Sequence, residues 1–354
     1  MLLYIIVGLL FFGLLIAVHE GGHFLAAKAL DVRVNEFSIG MGPALLSRQK
    51  GETLYSLRIF PMGGYCAMEG EDEATDDPRA FARKALWRKI IILAAGSGMN
   101  FLAGFLLVVV FFLAAGSYTA PVIQDFAEGF PCAGEQGLLP GDRILSVNGH
   151  RITVYEDLRA QLSTAAGHDT MDLVVERAGQ RVVLEDLPLT PRSYTVEGQQ
   201  VTMYGIYFTV EEITLPGLLR QSWYTCGYFA KAVWSGLGML VSGQVGLQEM
   251  SGPVGIVSYL GQAGSQGGSM TTGLLNVCYI IALIAVNLAI MNLLPIPALD
   301  GGRIFLLLAE EIWFHFSGQK IPAKYTAWIN GVGFVLLILL MVAVTFSDVW
   351  KLVN

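Results

Sequence analysis

The chain has 354 residues, 54% of them hydrophobic and only 14% charged, with Lys+Arg 22 against Asp+Glu 29 and a formal charge of −7. An average soluble domain is about 25% charged, so this composition excludes a purely soluble protein. The acidic balance argues against nucleic acid as a partner held by phosphate neutralisation, and the hydrophobicity excludes a disordered chain. Cys66, Cys132, Cys226 and Cys278 lie far apart with no CxxC spacing, and read as free apolar thiols.

A bilayer core needs about 20 apolar residues as helix. The first such run, Met1 to Val18, carries no charge and leads directly into His19-Glu20-Gly21-Gly22-His23. It lacks a basic n-region and a small-residue cleavage site, so it reads as a span rather than a signal peptide. His19 and His23, four apart on a helix, share a face and can meet one metal ion. Neutral imidazoles holding zinc with open positions lower the pKa of bound water toward ~7. Glu20 is the natural general base for that water and proton carrier to a leaving amine. Ionisable groups at bilayer depth are costly and mark function by default.

The basic residues between the first two runs end in a cluster, Arg83, Lys84, Arg88 and Lys89. By the positive-inside rule this loop is cytoplasmic and the N-terminus outside. Within the loop, Thr53 to Phe60 is rich in β-formers, and Pro61 with Gly63-Gly64 turns the chain. Glu69 to Asp77 is an acidic run with the character of a solvated linker. Ile90 to Gly116 is the second, uncharged run.

Residues 121–192 alternate β-rich runs with turn signals. Leu139 to Gly149 reads as a turn, a strand and an Asn-Gly hairpin turn; Glu156 to Ala166 is a short amphipathic helix, and Met171 to Arg177 with Gln180 to Leu187 a second hairpin. This pattern resembles a bacterial PDZ domain, present once, and PDZ domains bind extended peptides by strand addition. Leu215 to Gly243 is only moderately apolar and contains Pro216, Arg220 and Lys231. Its Trp and Tyr residues recur at roughly helical spacing, which suits an interfacial helix rather than a span.

The third run, Leu274 to Leu299, is uncharged and closes on Asn292-Leu293-Leu294-Pro295-Ile296-Pro297-Ala298-Leu299-Asp300-Gly301-Gly302. The prolines break helix, which is tolerated at this depth only where backbone lines a cavity or packs on protein. A zinc hydrolase needs a third protein ligand, and Asp300 supplies a carboxylate. The parity of the spans supports the assignment. If 215–243 stays at the interface, Asp300 returns to the depth of His19 and His23; if it spans, Asp300 ends about 30 Å away. The fourth run is Ala327 to Ser347.

HEGGH closing the first helix, the PDZ-like insert, Ser251 to Ile256 (SGPVGI) and NLLPIPALDGG together resemble the bacterial site-2 protease family, the RseP-type regulated intramembrane zinc metalloproteases, over essentially the whole chain. The resemblance implies one zinc ion held by His19, His23 and Asp300, Glu20 as catalytic acid/base, and Asn292 near the substrate backbone. It also implies a membrane-reentrant β-hairpin around residues 53–68. Its single PDZ-like unit departs from relatives in which that region is doubled. The expected fold is a polytopic α-helical membrane protein with four transmembrane helices, a membrane-associated β-hairpin region and an inserted extracytoplasmic PDZ-like α+β domain. The expected segments are 1–30, 90–116, 274–300 (with the LDG motif) and 327–347 as spans, 31–89 as the cytoplasmic or reentrant β region, 121–192 as the PDZ-like domain and 193–273 as an interfacial helical region.

The function implied is an intramembrane endopeptidase of a bacterial cytoplasmic membrane. It cuts transmembrane segments of single-pass proteins, anti-sigma factors or remnant signal peptides, after an upstream site-1-type protease. Both termini and the PDZ-like domain lie outside and the active site near the cytoplasmic side. A noncatalytic membrane adaptor and a metal-ion transporter are the competing classes. Glu20 has no use in the first, and the PDZ-like insert none in the second.

Overall fold

In the computed structural model the four apolar runs form helices α1 (Leu2–Ala29), α2 (Leu86–Ala115), α6 (Met270–Asn292) and α8 (Ala323–Val353). Each is long and apolar enough to cross a membrane, and leucines such as Leu10, Leu106 and Leu339 point outward where acyl chains belong. The structure describes residues 2–71, 75–196, 198–246, 251–319 and 321–353, so Met1 of the first run and residues 72–74 of the acidic run lie outside the described residues. Two units are distinguished: Met1–Val108 with Phe229–Asn354, and Val109–Tyr228.

In the first unit, strands β1 (Val34–Lys50) and β2 (Thr53–Met68) pair antiparallel. Each is folded at its middle, at Gly40 and Gly42 (φ +87° and +85°) and at Gly63 (φ +92°), a backbone region that side chains rarely adopt. Tyr55 therefore pairs with both Phe37 and Arg48, and Phe37 with both Tyr55 and Cys66. The result is four short strands in the order 64–68, 34–39, 53–58, 46–50, with Gly64–Met68 at one edge. Arg58 ties the layers together: it donates to Glu36 Oε1 (2.7 Å), Ser38 Oγ (2.9 Å), the Gly42 carbonyl (2.6 Å) and the Tyr65 hydroxyl (2.5 Å). Burial raises the Glu36 carboxyl, but hydrogen bonds from Ser56 and Arg58 outweigh it and hold the group below its ordinary value.

α1 and α2 approach closely because Gly22 faces the backbone of Ala95 and Gly96, where any side chain would collide. α5 (Pro253–Ser265) packs on α1 and α6. Its first turn offers the Gly255 N–H to Asp348 of α8 at 2.8 Å, a carboxylate placed favourably at a helix N-terminus. α4 (Leu215–Val241) is a single helix and is not among the candidate spans. The third span is shorter than the sequence boundaries 274–300 imply. α6 ends at Asn292, and Asp300 opens a separate helix, α7 (Asp300–Ser317), for which the sequence reading had no element. The cause is Pro295 and Pro297, which lack the N–H that continued helix requires.

The second unit is an antiparallel sheet in the order β10-β3-β4-β6-β7, with β3 (Ser117–Phe126), β4 (Arg143–Val147), β6 (Met171–Arg177), β7 (Gln180–Leu187) and β10 (Ile206–Glu212). The short β5 (His150–Arg151) pairs with β4, while β8 (Arg192–Val196) and β9 (Gln199–Met203) form a separate hairpin. Asn148-Gly149 and Ala178-Gly179 both have positive φ, the geometry of two-residue hairpin turns. The core gathers Ile123, Leu138, Ile144, Leu158 of α3 (Tyr155–Ala165), Leu173 and Leu189. Asp142, only 1% exposed, takes two hydrogen bonds from Arg177 (2.8 and 2.7 Å) and one from the Leu139 N–H (2.9 Å). Removing one partner of such a buried pair typically costs about 3–5 kcal/mol. Arg177→Met is expected to destabilise this unit by an amount near the lower bound, read as faster cleavage between residues 109 and 228 in limited proteolysis of the full chain.

Candidate metal centre

The HEGGH helix carries His19 and His23 one turn apart on the side of α1 that faces α2. Both are buried, at 9% and 6% exposure, and their rings meet edge to face at 87°. Gly96 of α2 makes the space. A Cβ there would stand 2.5 Å from His23 Nε2 and 2.8 Å from His19 Cε1. The Nδ1 of His23 donates to the Ile92 carbonyl at 2.8 Å, which leaves Nε2 as the ring's free donor atom toward a metal. His19 Nδ1 lies 3.2 Å from the side-chain amide of Asn100.

Asp300 reaches the same point from the other end of the sequence. After α6 the chain turns through Pro295 and Pro297, passes Ala298 at φ +74°, and starts α7 at Asp300. The Ala298 conformation is uncommon for a residue with a Cβ and is held by its surroundings; its N–H is 3.4 Å from Asn330 Oδ1 of α8. Gly301 and Gly302 lie against the backbone of Leu293 and Ile296, so the turn closes only without side chains there. The carboxylate thereby sits in the first turn of a helix, where negative charge is favoured.

Asp300 Oδ2 lies 3.1 Å from His19 Nε2 and 3.4 Å from His23 Nε2, and the two nitrogens are 3.2 Å apart. Ligand atoms at zinc bond lengths of ~2.0–2.1 Å in tetrahedral geometry stand about 3.3 Å from one another. The three atoms thus have the spacing of three corners of a zinc tetrahedron, and they are the metal-capable cluster found among the described residues. Asp300 Oδ2 is buried and accepts no hydrogen bond from the protein, as a donor atom reserved for a cation would be. The residues present fit zinc.

Around this cluster is a cavity of about 340 Å³. Glu20, Asn292, Glu71 and Arg303 line it, together with Tyr65, Cys66, Ala67 and Met68 of the sheet's edge strand. Glu20 lies against the edge strand: a Cβ at Gly64 would come within 3.2 Å of Glu20 Cγ. Glu71 and Arg303 form an ion pair at the rim. Burial, with the Glu20 charge second, pushes the Cys66 thiol up to about 12, so it remains a neutral thiol beside the cluster. All four cysteines are free.

The structure therefore brings together His19, Glu20, His23, Asp300 and Asn292. The sequence reading missed Gly96, Asn100 and the Ile92 carbonyl, all from the second apolar run, and the Glu71–Arg303 pair. The AGSGMN stretch (Ala95 to Asn100) held the available signal: an amide and small residues within an otherwise apolar span.

Comparison with known proteins gives a consistent result. The family model for peptidase family M50 matches residues 7–340. A Clostridium acetobutylicum protein provisionally named a zinc metalloprotease is 34% identical over 353 residues, covering 99% of this chain and 98% of its own. The zinc metalloprotease RasP of Geobacillus kaustophilus is 28% identical over 424 residues, covering 96% of each chain. The regulator of sigma-W protease RasP of Bacillus subtilis is 27% identical over 431 residues, covering 98% of each.

The packing at Gly96 gives a direct test. Gly96→Ala is expected to push both imidazoles apart and weaken zinc binding by about 10–100-fold, the range for disturbed ligand orientation. Gly98→Ala, whose Cβ meets nothing within 4 Å, is expected to bind zinc as the native chain does. Both are read by chelator competition.

Proposed function

Because the chain belongs to peptidase family M50, we propose that this integral membrane zinc metalloprotease cuts peptide bonds within the transmembrane segments of single-pass proteins, with His19, His23 and Asp300 as zinc ligands and Glu20 as the acid/base. The observation that carries the reading is the meeting of three candidate ligand atoms, the Glu20 carboxylate and the sheet's edge strand in a single cleft.

When bound, the cation supplies Lewis acidity toward water and the scissile carbonyl. The remaining work falls to the chain. Glu20, held beside the three ligand atoms, takes a proton from water on its carboxylate and hands it to the departing amine nitrogen. A transmembrane substrate is helical, and opening it strands its amides in a medium without water, at several kcal/mol each. The edge strand Gly64–Met68 supports an answer: Tyr65 to Met68 line the cleft, so an unwound substrate segment can pair with it as an added strand. The Asn292 amide, on the same cleft, is placed to hold a substrate carbonyl.

The orientation follows from the same site. With α1, α2 and α6 as consecutive spans and α4 at the interface, the basic loop 31–89 is cytoplasmic, and the metal ligands from α1 and α7 share one depth near that side. The N-terminus, the C-terminus and the PDZ-like residues 121–192 then lie outside. There the PDZ-like unit serves as a docking or size-selecting module for substrates already trimmed by an upstream protease. Anti-sigma factors and remnant signal peptides are the proposed substrate classes. The name of the Bacillus subtilis relative, a regulator of sigma-W, supports the first.

Purified enzyme is expected to cleave a reporter transmembrane segment in liposomes, to lose that activity to a chelator and to recover it with Zn²⁺. Glu20→Gln is expected to retain zinc while cleavage falls by about 10²–10⁴-fold; equal cleavage by that variant would refute the assignment. Asp300→Ala is expected to lose the metal itself. Single cysteines introduced along 215–243 and labelled with a membrane-impermeant reagent should react from the outer face only, which checks the topology.

A further inference from the structure

Asn100 lies in the interior of α2, a candidate membrane span, and is fully buried. An amide in such a place costs free energy unless both its polar atoms find work. One of them is engaged. The atom assigned as Nδ2 lies 3.2 Å from His19 Nδ1, and the other, Oδ1, is buried with no partner. The two ends of an amide are nearly the same shape, so their assignment rests on the chemistry around them.

That chemistry favours the reversed amide. If the Asn100 nitrogen donates to Nδ1, the ring proton of neutral His19 must sit on Nε2. It would then point at His23 Nε2 and Asp300 Oδ2, 3.2 and 3.1 Å away, and Nε2 could not bind a cation. If the oxygen faces the ring, Nδ1–H is the donor and Nε2 presents its lone pair to the centre. His23 already has that arrangement, with Nδ1 donating to the Ile92 carbonyl at 2.8 Å. α2 would then hold both imidazoles by the same device, once with a main-chain oxygen and once with a side-chain oxygen.

We infer that Asn100 is a positioning residue of the metal centre: its amide oxygen accepts the Nδ1–H of His19, fixing the tautomer and ring orientation that direct Nε2 at the zinc ion. The inference rests on the reading of His19 as a ligand. Outer partners of this kind typically change metal affinity by about 10–100-fold when removed.

The test measures zinc affinity of the purified full-length protein in detergent, by competition with a chromophoric chelator, with no substrate present. Asn100→Asp keeps the size and the acceptor and removes the donor; Asn100→Leu removes both. Asn100→Leu is expected to weaken zinc binding by about 10–100-fold, and Asn100→Asp to bind at least as tightly as the native chain. Native affinity in the Leu variant would overturn the inference, and so would an Asp variant as weak as the Leu variant, since that result assigns the contact to the amide donor or to packing. Should Asn100→Leu fail to fold, the Asp variant alone decides between acceptor and donor. His19→Ala is measured alongside: unchanged zinc affinity there would remove His19 from the site, a failure of the underlying reading and distinct from a failure of the Asn100 contact.

Discussion

Zinc–ligand bonds of ~2 Å leave almost no tolerance for error, and here the proposed ligand atoms come from residues 19, 23 and 300, at opposite ends of the chain. Much of the first unit can be understood as what this convergence requires. α1 and α2 must lie almost backbone to backbone, so Gly22 and Gly96 occur at their crossing. The carboxylate must enter from a third direction, so α6 stops at Asn292 and α7 restarts at Asp300 after a turn that contains two prolines and a left-handed alanine. Broken helix is expensive in a membrane. Here part of the freed backbone packs against Gly301 and Gly302 and against α8, so the break rests on protein.

The sheet solves a different problem on the other side of the cleft. A strand edge beside the metal centre is useful only if it is rigid and its partners are fixed. Arg58 accomplishes this from the middle of the sheet, donating to Glu36, Ser38, the Gly42 carbonyl and Tyr65. Because Tyr65 neighbours Gly64, beside which the Glu20 side chain lies, one arginine links the folding of the four short strands to the position of the proposed acid/base. The linkage is physical and local: Arg58 to Tyr65, Tyr65 along the edge to Gly64, Gly64 against Glu20.

The most legible features in the sequence were those that break an apolar background. HEGGH after an uncharged run, and Asp300 after another, stand out because ionisable groups are costly at that depth. The second unit was legible through its turns, since Asn148-Gly149 and Ala178-Gly179 announce hairpins wherever they occur. The sheet's double pairing was legible only in part: Pro61 with Gly63-Gly64 marked the fold within 53–68, whereas the strand Val34–Lys50, folded at Gly40 and Gly42, was not read as a strand at all. Asn100 was hidden for another reason. An amide in a span could satisfy itself against any neighbouring helix, and only the folded chain brings it to His19. The boundary of the third span was misplaced because hydropathy continues through Leu293, Leu294 and Ile296 after the helix has ended.

The Glu71–Arg303 pair connects the two walls of the cleft. Arg303 lies one turn beyond Asp300 on α7, and Glu71 follows the edge strand by three residues, so the pair joins the element that carries the third ligand atom to the element that offers the strand edge. Both side chains are partly shielded from solvent, at 37% and 13% exposure, and charge pairs in such surroundings are screened less than surface ones. The separation between the proposed metal ligand and the strand edge is therefore set by an electrostatic tie as well as by apolar packing of Ile304 and Leu307 against the buried cluster that includes Cys66 and Met68. In the proposed function, an extended peptide backbone paired to that edge would be held at a fixed distance from Glu20 and the three candidate ligand atoms. Positioning of this kind converts a loose encounter into an attack-ready geometry, and in this protein it is distributed over two walls that neither the histidine motif nor the aspartate motif contains by itself.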